Sequence, residues 1–82
     1  KMKIAIISGA SSGIGLELAK LLDNDSLDEL WLIARNTDKL SKLNTELKTE
    51  VRLLTLDLLN EKSFDEIKDL LNQLKPEIKY LI

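Results

Sequence analysis

The stretch SGASSGIG, Ser8 to Gly15, carries all three glycines of an 82-residue chain. Gly9, Gly13 and Gly15 stand close together, and the rest of the sequence holds none. A short apolar run, KIAIIS (Lys3 to Ser8), leads into the cluster. An isoleucine-rich run that ends in glycines reads as a strand buried on both faces, as in a parallel sheet. After the cluster, Ile14, Leu18, Leu21 and Leu22 recur at helical spacing around Glu17 and Lys20. That pattern predicts an amphipathic helix from Ile14 to about Leu22. Glycines between a strand and a helix have a definite physical use. The first permits a tight turn through backbone angles closed to other residues. The later ones let an anion approach the main chain and let the helix pack close to the sheet. The helix N-terminus itself offers N–H groups and a partial positive charge.

The strand–helix alternation continues along the chain. DNDS is a turn cluster, and ELWLIA (Glu29 to Ala34) is a second buried strand. After RNTDK, Leu40, Leu43 and Leu47 mark a second helix with Asn36 or Thr37 as its N-cap. VRLLTL (Val51 to Leu56) is a third strand. DLLNEKS leads into a third helix with Phe64, Ile67, Leu71 and Leu74 on one face. Ser63 and Glu66 have capping-box spacing at its start, and Pro76 stops it. IKYLI (Ile78 to Ile82) is a fourth strand. Strands alternating with single helices imply right-handed crossovers and a parallel sheet. Trp31, inside the second strand, reads as packing rather than a stacking platform. Asp65, Glu66 and Asp69 read as a solvated helix face rather than a metal site.

Composition narrows the chemistry. The formal net charge is -2, without the clustered basic excess that phosphate backbones require. The sequence has no Cys and no His, so it offers no disulfide, no thiolate and no imidazole base or metal ligand. No apolar run approaches the ~20 residues of a membrane span. KMKIAIISGA is too soon interrupted for a secretory signal. The expectation is a soluble cytoplasmic protein that binds neither nucleic acid nor membrane.

The glycine spacing is Gly-x-x-x-Gly-x-Gly rather than Gly-x-Gly-x-x-Gly, and no Lys-Ser or Lys-Thr follows as in a Walker motif. In its strand–turn–helix setting this resembles the short-chain dehydrogenase/reductase family. That family carries Thr-Gly-x-x-x-Gly-x-Gly here, and Ser8 stands in the threonine's place. The resemblance implies a three-layer, Rossmann-type α/β fold. Its four parallel strands would run in order 3-2-1-4, with helices 1 and 2 on one face and helix 3 on the other. It also implies a dinucleotide cofactor. Its turn would be held by Ser8, Gly9, Ser11, Ser12, Gly13, Ile14 and Gly15. Arg35 ends the second strand, and an arginine there accommodates a 2′-phosphate, so NADP is expected over NAD. Asn36 adds a donor beside it. The family's second basic residue, just before the middle glycine, is here Ser12, so the preference rests on Arg35. Asp57 and Leu58 follow the third strand, where the family's matching pair lies beside the adenine. Each has a plainer alternative: Arg35 as a surface arginine, Asp57 as a turn residue.

The family's catalytic serine, tyrosine and lysine are not assigned. Tyr80 is the only tyrosine, it lies within the fourth strand, and the sequence ends before a lysine four residues on. The Asn-Asn-Ala-Gly that the family carries after its fourth strand would begin where KYLI ends. Residues 1–82 are therefore expected to be the N-terminal part of a dinucleotide-binding Rossmann domain, the cofactor-binding segment of a longer NAD(P)-dependent oxidoreductase acting on a carbonyl or alcohol. The alternatives are a non-catalytic dinucleotide-binding module and a self-associating fragment. Self-association through a bare strand-4 edge is expected, because open edges invite pairing.

Overall fold

Four apolar runs line up side by side in a single parallel sheet of order β3-β2-β1-β4: β1 (Lys3–Ser8), β2 (Glu29–Ala34), β3 (Glu50–Thr55) and β4 (Glu77–Leu81). Among the described residues two helices accompany them, α1 (Gly13–Leu22) and α2 (Glu61–Leu74). This computed structural model describes residues 1–9, 13–23, 26–35, 40–41, 46–57 and 59–82. The order and the parallel sense are those expected from strand–helix alternation. β1 and β2 have the predicted bounds, whereas β3 and β4 each start and end one residue earlier than the apolar runs implied.

The period of two sorts the sheet residues into two cores. Ala5, Ile7, Leu30, Leu32 and Ala34 are buried on one face, together with Ala19 of α1 and Leu40. Ile4, Ile6, Trp31 and Ile33 are buried on the other, with Ile67, Leu70 and Leu71 of α2 packed on them. In-register pairing keeps each set on its face, for example Ala5 beside Leu30 and Ile6 beside Trp31. β2 is buried at all six positions, as a central strand covered on both sides should be. The second predicted helix, with Leu43 and its Asn36 or Thr37 cap, falls largely outside the described residues. Leu40 and Leu47 lie in the α1-side core.

Both helices sit rotated from their simplest leucine stripes. In α1, Leu18 and Leu22 pack on the core, but Ile14 is 78% exposed and Leu21 66% exposed. The buried positions include Gly15 and Ala19, one turn apart, so small residues form the contact line. In α2, Ile67, Leu70 and Leu71 pack, whereas Phe64 and Leu74 are exposed. The capping box expected at Ser63 and Glu66 is also displaced. Asn60 is the N-cap, and its side chain accepts from the Lys62 amide at 3.0 Å. Asparagine caps as well as serine does, and it precedes Ser63, so the helix starts a turn earlier. Ser63 is buried in the first turn and its amide donates to the Asn60 carbonyl at 3.0 Å. The helix ends at Leu74. Lys75 closes it at φ 45°, and Pro76 follows.

The far edges are held by polar clips. Glu29 accepts from Trp31 Nε1 at 2.8 Å and from Arg52 Nε at 3.2 Å, while the Arg52 guanidinium lies 5.6 Å from the Trp31 ring centre. Trp31 is fully buried and is thus a packing residue. Asp23, after α1, accepts from the Lys48 and Thr49 amides at 3.0 and 2.7 Å, which anchors the entry to β3. Burial opposes its charge, but those two amides, the Thr49 hydroxyl and the Lys48 charge prevail and hold the Asp23 carboxyl below its ordinary range. Asp65, Glu66 and Asp69 are exposed. Among the described residues, no group of acids, His or Cys could hold a metal ion, and no helix is long and apolar enough to cross a membrane.

Candidate functional site

A parallel sheet delivers all its strands' carboxyl ends to one edge, and here that edge collects the sequence's candidates. β1 ends at Ser8, in register with Ile33 of β2. Ala34 is in register with Thr55, and the Leu56 amide donates to the Ala34 carbonyl at 3.0 Å. Gly9, Arg35 and Asp57 therefore follow the ends of three adjacent strands. From β1 the chain leaves through α1 to β2 on one side. From β3 it returns through α2 to β4 on the other. The strand order reverses between β1 and β4, and such a switch point opens a crevice at the carboxyl edge.

Gly9 makes the turn out of β1 with φ +63°, in the left-handed region. A methyl built on it meets nothing within 4 Å among the described residues. The backbone angle alone thus calls for glycine here, without crowding from any described residue. Gly13 is the first residue of α1. Gly15 is buried in its first turn, where a small residue lets a helix pack close to a sheet. Ile14, between them, turns its side chain to solvent.

The N-terminus of α1 differs in charge from that of α2. α2 begins with a side-chain cap and carries Glu61 in its first turn. α1 has no acidic residue in its first turn. Its positive end is not neutralised by an acid of its own first turn, which suits it to an anion.

Ser8 lies at the base of the turn, at the end of β1. Its amide donates to the Ile82 carbonyl at 2.8 Å and its hydroxyl donates to the same oxygen at 3.0 Å. The Ile82 amide returns a bond to the Ile6 carbonyl at 2.9 Å. Ser8 thereby ties the base of the glycine turn to the end of β4. The backbone bonds continue the expected β1–β4 pairing, and only the hydroxyl bond, which spans nearly the whole chain, left no mark in the sequence pattern.

Arg35 is exposed directly after β2, and among the described residues it forms no ion pair. Arg52, the other arginine, is spent on Glu29. Asp57 is exposed after β3. One carboxylate oxygen accepts from the Leu59 amide at 3.0 Å, and its carbonyl accepts from the Asn60 amide at 2.9 Å. Asp57 is thus part of the turn that launches α2. Ser11, Ser12, Asn36 and Leu58 lie outside the described residues.

Comparison with known proteins places this arrangement. The short chain dehydrogenase family profile matches residues 3–82. An oxidoreductase of Staphylococcus aureus strain N315 is 35% identical over 72 residues, covering 87% of this chain and 31% of the relative. An oxidoreductase of Staphylococcus epidermidis is 31% identical over 67 residues, covering 82% of this chain and 29% of the relative. The chain thus spans less than a third of the length of these curated relatives. A solved structure, the "putative Carbonyl Reductase Sniffer" of Caenorhabditis elegans, superposes over 99% of this chain and 35% of its own, with a TM-score of 0.76 and 23% identity. That likeness confirms the Rossmann-like parallel fold. With its profile matched from the first strand to the last residue, the chain belongs to the short-chain dehydrogenase family.

Proposed function

We propose that residues 1–82 form the N-terminal part of a dinucleotide-binding Rossmann domain, serving an NAD(P)-dependent oxidoreductase that acts on a carbonyl or alcohol. The observation that carries this reading is Gly9. It turns left-handed at the switch point, and no described residue comes within 4 Å of where a Cβ would stand. It leads toward an α1 N-terminus that lacks an acid in its first turn. These features fit a pyrophosphate, which needs close backbone approach and an uncompensated helix end.

On this reading Gly9, Ser11, Ser12 and Gly13 receive the pyrophosphate. Gly15 keeps α1 close, and Ile14 gives apolar cover to the bound molecule. Ser8 acts at one remove, by holding the turn against β4. Asp57 offers its carboxylate to the adenine amino group, with Leu58 beside it. Arg35, with Asn36, meets a 2′-phosphate, so NADP is preferred over NAD. Arginine suits that partner because its planar fork donates two parallel hydrogen bonds. The bound nicotinamide would supply hydride transfer. These 82 residues supply binding and orientation, and none of them is assigned a catalytic role.

The test is a calorimetric titration with NADPH and NADH, on the parent and on Arg35→Ala. NADPH should bind at least tenfold tighter than NADH, and the variant should abolish that difference. Equal affinities in the parent would remove the NADP assignment. No binding of either, in a folded sample carrying any downstream sequence, would remove the dinucleotide reading. The open β4 edge supports a second interaction, self-association of the chain where no further strand covers that edge. Sedimentation as a monomer at ~100 μM, a concentration at which an unprotected edge should pair, would exclude it.

A further inference from the structure

β3 stands at the end of the sheet opposite β4, in unbroken register with β2 from Glu50 to Thr55. Its outer edge has a definite hydrogen-bonding phase. The Leu56 amide, just past β3, donates inward to the Ala34 carbonyl. In a strand the amide and carbonyl of one residue point to one side, and those of the next residue point to the other. The even-numbered residues of β3 therefore bond to β2, while Val51 and Leu53 turn their backbone groups outward. Among the described residues no strand or loop pairs with that edge.

The side chains on this edge are unevenly matched. Glu29 and Glu50 lie in register, and so do Trp31 and Arg52. Like charges side by side are unfavourable. Arg52 relieves Glu29, at 3.2 Å. Glu50 is exposed and, among the described residues, forms no ion pair. The segment Glu50-Val51-Arg52 is its own complement when reversed: an acid and a base exchange places about a β-branched residue. Laid antiparallel on a second copy about Val51, it sets Glu50 opposite Arg52 of that copy, twice over.

Backbone phase selects the same axis. A residue on the two-fold axis of an antiparallel pair can exchange both backbone bonds with its twin, and Val51 has the outward groups this needs. An axis at Glu50 or Arg52 would present groups already turned to β2. An axis at Leu53 would set Arg52 against Leu54 and Glu50 against Leu56, losing the charge match. We propose that β3 pairs antiparallel with β3 of a second copy of this chain about a two-fold axis at Val51, joining two sheets into one. Such a contact is isologous and closes on itself as a dimer. It is also short, because the Thr49 amide is already held by Asp23 at 2.7 Å and does not extend the pairing.

Residues 1–82 hold no cysteine, so a thiol can be placed on the axis. Twin residues there have Cα atoms about 5.5 Å apart, inside the roughly 4.4–6.8 Å that a disulfide spans. Val51→Cys is made in the polypeptide with whatever coding sequence follows Ile82. Lys79→Cys, at an exposed position of β4, is the reference for the other edge. Under mild oxidation Val51→Cys should form a reducible dimer at least tenfold faster than Lys79→Cys or the parent. A rate at Lys79→Cys that equals or exceeds it, or no dimer from either, would overturn the proposal. Val51 is only 8% exposed, so a second variant leaves the core alone. Glu50→Lys sets a cation against Arg52 of the second copy. The parent should sediment as a reversible dimer, and Glu50→Lys should raise its dissociation constant at least tenfold. A parent that stays monomeric as its concentration rises, or a dimer that Glu50→Lys leaves unchanged, would also overturn it. None of these readouts depends on dinucleotide binding.

Discussion

Replacing Gly9 with alanine separates the two reasons for a glycine at that position. The first reason is the turn itself. At φ +63° an L-residue suffers a left-handed backbone penalty of roughly 1–2 kcal/mol. Alanine also restricts the unfolded chain, which returns about 0.4–1 kcal/mol. The methyl meets nothing within 4 Å among the described residues, so no clash adds to this. The net loss of stability should be about 0.5–1 kcal/mol. With a urea slope of roughly 1 kcal/mol/M for a small domain, the midpoint falls by about 0.5–1 M. The second reason is the ligand. If a pyrophosphate passes there, the methyl displaces it from the backbone amides. Losing one hydrogen bond to a charged group costs about 1.5–3 kcal/mol, or at least a tenfold weaker affinity. Urea unfolding followed by Trp31 fluorescence gives the first quantity, and calorimetric titration with NADPH gives the second. An unchanged affinity beside the expected midpoint shift would refute the ligand argument and leave Gly9 as a turn residue only. A stability loss above about 3 kcal/mol would refute the absence of a clash, because backbone strain alone does not reach it.

Other perturbations probe the frame that carries the site. Lys75 adopts φ 45° ahead of Pro76, so Lys75→Gly should raise stability by about 0.5–1 kcal/mol in urea unfolding; a neutral or negative change would contradict the strain. Asp23 has a carboxyl held below its ordinary range by the Lys48 and Thr49 amides, despite burial. Its charged form is the one the fold prefers, so this stabilisation is full above the unfolded carboxyl's range and fades as pH falls through the lower folded value. Asp23→Asn should be less stable than the parent near neutral pH, with the gap narrowing as acid is added, and parallel curves would disprove the linkage. Leu32 is fully buried in the central strand, so Leu32→Ala should cost about 2–5 kcal/mol, enough to unfold much of so small a chain. A loss under about 1 kcal/mol would place Leu32 outside the working core, since buried leucine truncations rarely cost so little.

The sheet was legible in the sequence because strands buried on both faces leave a local mark. KIAIIS and ELWLIA are continuous apolar runs, and their bounds matched to the residue. The glycine turn was legible for a similar reason, since its chemistry sits in a few consecutive residues. What the sequence concealed depends on long-range contacts or on a choice between equivalent local signals. Asn60 and Ser63 both offer an N-cap, and only the turn built on Asp57 decides for Asn60. Leu21 and Ile14 look like core residues by spacing, but Gly15 and Ala19 let α1 approach along a narrower line that leaves them out.

The least legible feature is the bond from the Ser8 hydroxyl to Ile82, and it bears most directly on function. The glycine turn reads as a self-contained loop, yet its base is bonded to the last residue of the chain. Ile82 also lines an apolar groove beside α2. The seating of β4 is therefore mechanically continuous with the turn proposed to receive the pyrophosphate. Whatever fixes Ile82 also fixes Ser8, one residue before the left-handed Gly9. By linkage, whatever steadies one end of that connection steadies ligand held at the other. The dinucleotide affinity of this strand–turn–helix unit should thus rise when β4 is covered. Ser8→Ala, which removes the hydroxyl but leaves the amide bond to Ile82, should weaken that gain in a form with the groove filled and change little in a form with it open. Equal effects of Ser8→Ala on affinity in both forms would sever the connection.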